Sequence, residues 1–75
     1  MKPELWQMLM DSAKADKSKA ELTLNLLSTN PAGIGDHSTT DLYNNAEEAL
    51  KNLVDAVDRI EILEKLKSGK GIING

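Results

Sequence analysis

Residues 4–29 and 39–67 contain neither glycine nor proline, and no other feature of this 75-residue chain limits its fold as strongly. Those two residue types weaken or end helices, so long runs without them admit long helices. In the first run Trp6, Leu9, Ala13, Ala20, Leu24 and Leu27 recur at the three-and-four spacing of one helix face. A second stripe of Leu5, Met8, Ala15, Leu22 and Leu26 runs beside it, and an apolar face that wide contacts more than one neighbour. Pro3 suits a first helical turn, where its missing donor costs nothing.

The second run carries Leu42, Ala46, Ala49, Leu53, Ala56, Ile60 and Leu63 in alternating steps of four and three, the pattern of a coiled-coil-like seam. Its alanines let a facing helix come close. Tyr43, Leu50, Val54 and Val57 lie on the flank of that seam and widen the apolar surface. Lys65 and Lys67, followed by Ser68 and Gly69, match a helix C-terminus.

These patterns predict an all-α protein with a single helical domain over residues 1–67: a helix over about 3–29, a loop over 30–38, and a helix over about 39–67. Residues 68–75, "SGKGIING", read as a flexible tail. Each helix would be about 40 Å long, and the connection turns the chain back into a long antiparallel hairpin. Two helices packed only on each other leave half of each wide face in water. The expected remedy is self-association, most simply a homodimer forming a four-helix bundle about a two-fold axis, with higher oligomers also open. A competing arrangement breaks the first helix near "KADKSK", because Asp16 falls on the stripe that Ala13 and Ala20 define, and gives a three-helix monomer.

Composition excludes several classes of function. The chain has no cysteine, hence no disulfide or thiolate metal site, and its one histidine rules out a His-rich zinc site within one chain. Phe is absent, so the core must be aliphatic. A net charge of −3 gives no general attraction to nucleic acid or anionic membrane. Lys14, Lys17 and Lys19, with Lys2 nearby, lack the arginines and interleaved aromatics of a nucleic-acid surface. The opening "MKPELWQMLMDS" is broken by Glu4 and Gln7, so it reads as neither a signal peptide nor a membrane span, and a cytoplasmic protein is expected.

Three groups of residues are candidates for function. In "NPAGIGDHSTTD", Pro31 ends the first helix, Gly33 and Gly35 permit tight turning, and Ser38 with Asp41 resembles a capping box. A structural turn accounts for most of that motif. The functional reading makes Gly33, Gly35, Asp36, His37 and Ser38 an anion or ligand cradle at a helix N-terminus, although Asp36 already places a carboxylate there. Trp6, Met8, Met10, Ile72 and Ile73 are candidate contacts for a partner protein. No cofactor is expected. The alternative is magnesium held by Glu48, Asp55 and Asp58, which rise along one helix, against the simpler reading of a solvated, ion-paired face with Lys51, Arg59, Lys65 and Lys67.

The acidic run Glu47, Glu48, Asp55 and Asp58 resembles in part the metal helices of the all-α nucleoside triphosphate pyrophosphatases, which would imply a magnesium-dependent nucleotide pyrophosphohydrolase. Lys51 stands where that pattern has a further acid, and both acidic pairs fall on one helix. The stretch "PAGIGDHSTTDLYNNAEEALKNLVDAVDRIEIL", about half of the chain, resembles short helical accessory proteins of tailed phages, marine ones especially. That resemblance implies a small viral protein working in the host cytoplasm by binding another protein, and it supplies no catalytic residues.

Overall fold

The computed structural model describes residues 1–29 and 39–68. They form two helices, α1 (Pro3–Thr29) and α2 (Thr39–Lys67), packed against each other as an antiparallel hairpin. No strand occurs among the described residues. The ends of the helices follow from local chemistry. Pro3 takes the first position of α1, Glu4 sits at the positive end of its dipole, and the Trp6 amide donates to the Lys2 carbonyl at 3.0 Å to close the first turn. At the far end of α1, where no basic residue stands, the Ser28 and Thr29 hydroxyls each donate to the Asn25 carbonyl at 2.9 Å. Helix α2 ends in Lys65 and Lys67, and Ser68 donates from its amide to Glu64 and from its hydroxyl to Lys65.

The α2 seam lies where its period puts it. Ala49, Ala56 and Leu63 are buried, and Leu42, Ala46, Leu53 and Ile60 are half-buried. On α1 the inner face is Trp6, Met10, Ala13, Lys17, Ala20, Leu24 and Leu27, all buried or half-buried. One expectation changes here. Met10, only 2% exposed, takes the inner position that the sequence assigns to Leu9, so Met10 offers no free surface on the hairpin. Steps of three and of four from Trp6 fit a helix equally well, and the crossing of the two helices selects the second.

Helix continuity follows the expected helix over about 3–29 and not its competing break. Helix α1 runs unbroken through "KADKSK", which removes the three-helix alternative. Between Ala13 and Ala20 the inner face is filled by Lys17, whose aliphatic stem can lie along the seam while its ammonium reaches water. Asp16 is turned aside and bound to Arg59 of α2, so its charge is not forced into the core.

The hairpin is long and thin. Its principal extents are 50 × 21 × 14 Å, and its radius of gyration is 16.3 Å, where a compact chain of this length has about 11 Å. Four of the six buried core residues are alanines, at positions 13, 20, 49 and 56. Small side chains bring the two backbones close over a long contact, but each removes little apolar area from water. Several larger apolar side chains, Leu5, Met8, Leu22 and Leu26 of α1 and Tyr43, Leu50 and Val54 of α2 among them, lie outside.

Candidate functional site

Two regions of the surface combine enough chemistry to be candidates: a polar groove along one side of the hairpin, and the outward face of α1 beside it. The groove has a volume of about 460 Å³. From α1 it receives Asp16, Lys19, Ala20, Thr23 and Leu27; from α2 it receives Asn45, Glu48, Ala49, Asn52, Asp55 and Arg59. Alanines form the floor because the seam is alanine-rich, and the polar residues of both helices form the walls.

Arg59 organises the middle of this groove. Its Nη2 donates to Asp16 Oδ2 at 2.7 Å across the helices, and its Nε donates to Asp55 Oδ2 at 3.1 Å one turn earlier on α2. The planar fork of a guanidinium suits this double engagement, which a lysine ammonium would not reproduce. The hydrogen bond to Asp16 is the main cause that raises the Arg59 pKa above its ordinary value, with the charges of both carboxylates adding to it and burial opposing. Two of the three carboxylates on the groove wall are thus engaged by a fixed cation. The Thr23 hydroxyl is turned back to the Lys19 carbonyl at 2.9 Å.

At the open end of the hairpin, away from residues 30–38, Trp6 ties the helices together. Its indole Nε1 donates to the Leu63 carbonyl at 2.6 Å, and the Lys67 Nζ stands 4.5 Å from the ring centroid. An amphipathic ring of this kind needs an acceptor for its N–H when it packs. Trp6, expected from the sequence as a partner contact, here closes the hairpin, with its ring half-buried. Of the other partner candidates, Met8 is exposed and Met10 is in the core, while Ile72 and Ile73 lie outside the described residues. Gly33, Gly35, Asp36, His37 and Ser38 also lie outside them.

The proposed magnesium ligands separate on α2. Glu48 and Asp55 line the groove, Asp55 is engaged by Arg59, and Asp58 is not part of the lining. Among the described residues, no three or more His, Cys, Asp or Glu side chains come together as a metal-binding group. The basic cluster disperses as well. Lys17 is half-buried on the inner face and Lys19 lines the groove, and Lys14 lies about 140° round the helix from Lys19, so the three do not form one patch. No described helix is long and apolar enough to cross a membrane.

Most of the exposed apolar residues form two separate stripes, with Met1, Leu9 and Ile62 outside them. On α1, Leu5, Met8, Leu22 and Leu26 are exposed, the last three by 57–59%. On α2 the exposed stripe is Tyr43, Leu50 and Val54, with Val57 half-buried at its edge. Helical spacing puts the α2 stripe on the flank of its seam opposite the groove, whereas the α1 stripe lies beyond the groove wall that contains Lys19. The α1 stripe is legible in the sequence from its spacing; the groove, which depends on residues 43 apart such as Asp16 and Arg59, has no local signal. Compared with protein-family models, curated proteins and solved structures, the chain matches none.

Proposed function

We propose that this chain is a small self-associating protein-interaction module, an all-α hairpin that pairs with a second copy to make a four-helix assembly. One observation carries the reading: four of the six described residues that are fully buried within the hairpin are alanines, while Leu5, Met8, Leu22 and Leu26 of α1 stand in water. An inner seam of that kind supplies little hydrophobic free energy, and a domain of this size has little to spare. Burying one exposed leucine or methionine completely is worth about 1.5–3 kcal/mol. Covering a row of them therefore shifts the folding equilibrium decisively, and a second copy is always present at the concentration of the first.

The groove supports the same reading. Its carboxylates and cations are largely matched with one another, and no nucleophile paired with a base occurs along it, so it serves recognition better than catalysis. An accessory role, in which the chain acts by occupying another protein's surface, is the class of activity such a module performs. Sedimentation equilibrium across a wide concentration range tests the proposal. A mass of two chains at micromolar concentration, falling on dilution together with helicity, is expected. A helical monomer at all concentrations would overturn it.

A further inference from the structure

We infer that the second copy docks on the outward face of α1, antiparallel to the first, through the row Leu5, Met8, Ser12, Ala15, Leu22 and Leu26; this rests on the self-association reading and assigns it a surface. The row, completed by Lys19, advances in alternating steps of three and four, which is the requirement for a straight helix-to-helix seam. It extends for about 31 Å at 1.5 Å per residue. All of its members are exposed, and the structure gives none of them a partner on α2 through an ion pair or side-chain hydrogen bond.

The occupant follows from the order of residue sizes along the row. Leu5 and Met8 are large at one end, Leu22 and Leu26 are large at the other, and Ser12 and Ala15 are small in the middle. Turned end for end about an axis at Ala15, the row matches itself: Leu5 meets Leu26 of the second copy, Met8 meets Leu22, and Ala15 meets Ala15. A two-fold interface requires this kind of self-complementarity.

Charge selects the same direction. Lys19, the only charged residue in the row, falls opposite Ser12 of the second copy and beside Asp11, whose carboxylate accepts a hydrogen bond from Gln7 at 2.9 Å on the free hairpin. Parallel docking would instead bring Lys19 against Lys19. Asp16, near the axis, meets its own copy only after Arg59 has bound it at 2.7 Å.

The elongated chain as a whole also has surface to spare. The chain exposes 5699 Å², where a compact monomer of its mass exposes about 4,500 Å². A stable interface removes about 800 Å² from each partner, less than that excess. Because the row points largely away from α2, the four helices form a flattened layer with the two α1 helices in its centre. The stripe of Tyr43, Leu50 and Val54 stays on the outside.

Single cysteines test this cleanly because the natural chain has none. The variants Ala15→Cys and Val54→Cys are oxidised at micromolar concentration, with circular dichroism to confirm helicity and sedimentation of the parent chain alongside. Cross-linking of most of the Ala15→Cys chains, with Val54→Cys remaining uncross-linked, is the expected result. If the parent is a dimer and Val54→Cys cross-links in place of Ala15→Cys, the docking face is wrong while self-association stands. A monomeric parent overturns both. For direction, Lys19→Glu is expected to weaken the dimer about tenfold and Asp11→Lys in the same chain to restore it; Lys19→Glu without effect on the dimer overturns the antiparallel register.

Discussion

The two faces of α1 differ most in the middle of the helix and in how far they are covered. Inside the hairpin stand Trp6, Met10, Ala13, Lys17, Ala20, Leu24 and Leu27, with Met10, Ala13 and Ala20 fully buried; outside stand Leu5, Met8, Leu22 and Leu26. In a self-sufficient domain the larger apolar side chains would be buried. Here the inner face is selected for closeness, since alanine on both helices lets two long backbones pack side by side, with Ala13 and Ala56 at 0% exposure. The outer face is selected for area. On the proposed reading the two faces make separate contributions: the inner seam sets geometry, and the outer row supplies free energy when a second copy covers it.

The sharpest way to break that contrast is to charge the outer row. Leu22→Glu with Leu26→Glu removes two apolar contacts from each copy, four per dimer. At about 1 kcal/mol for each half-exposed side chain, the total of about 4 kcal/mol corresponds to roughly a thousandfold weaker dimer. Sedimentation should find the double variant monomeric where the parent is dimeric; an unchanged mass would refute the division of roles. The inner face should respond differently. Ala56→Leu leaves the outer row untouched but adds bulk at a site that is 0% exposed between the helices, and overpacking of this kind costs about 1–3 kcal/mol. Urea unfolding followed by circular dichroism should show a lower midpoint. A midpoint equal to the parent's would mean that the two helices do not depend on close approach.

How far this was legible in the sequence depends on the range of the interaction that decides each feature. The two helices and the α2 seam could be read directly, because period and the lack of glycine and proline are local properties. The choice between Leu9 and Met10 could not, since both fit a helix face that contains Trp6 and Ala13, and only the position of α2 separates them. Continuity through Asp16 could not either. A carboxylate beside an alanine stripe looks like a break until its partner is known, and that partner, Arg59, is 43 residues away. The role of Trp6 is hidden for the same reason: the sequence offers it both as part of the inner stripe and as a partner contact, and its indole N–H is satisfied by a carbonyl of the other helix. The outer row of α1 was visible as a stripe, but the sequence alone placed it beside the inner stripe as part of one wide face. The structure separates the two, and that separation makes α1 two-sided.

The clasp at the open end of the hairpin gives a smaller test, because it adds to the inner seam without being part of its alanine packing. Trp6→Phe keeps an aromatic ring near Lys67 and removes only the donor to the Leu63 carbonyl. A loss of about 1 kcal/mol is expected for one such hydrogen bond, read as a lower midpoint in urea. Lys67→Ala should cost less, since exposed cation–π contacts are worth about 0.5–1 kcal/mol. Equal stability of Trp6→Phe and the parent would show that the indole contact does not hold the ends together.

The smallest expected effect is at Arg59, and it separates orientation from stability. Arg59→Gln removes the cation that links Asp16 of α1 to Asp55 of α2, leaving one carboxylate on each side of the groove. All three groups are well exposed, so solvent screening keeps the pair weak and the fall in melting temperature should be smaller than for Trp6→Phe. Ionic strength provides the decisive control. At about 1 M salt, where charges are screened beyond about 3 Å, the melting difference between variant and parent should narrow. Alkaline pH should not mimic the substitution. The hydrogen bond to Asp16 raises the Arg59 pKa, and a basic group with a raised folded pKa keeps its full contribution below its ordinary value and loses it only as pH rises through the raised one, so titration to roughly pH 10 leaves this pair intact. A melting difference that persists unchanged in high salt would mean that Arg59 acts by packing across the groove instead of by charge. The outer row would then have to tolerate an uncompensated Asp16 close to its axis, and the dimer constant of Arg59→Gln, measured at low and high salt, would show whether it does.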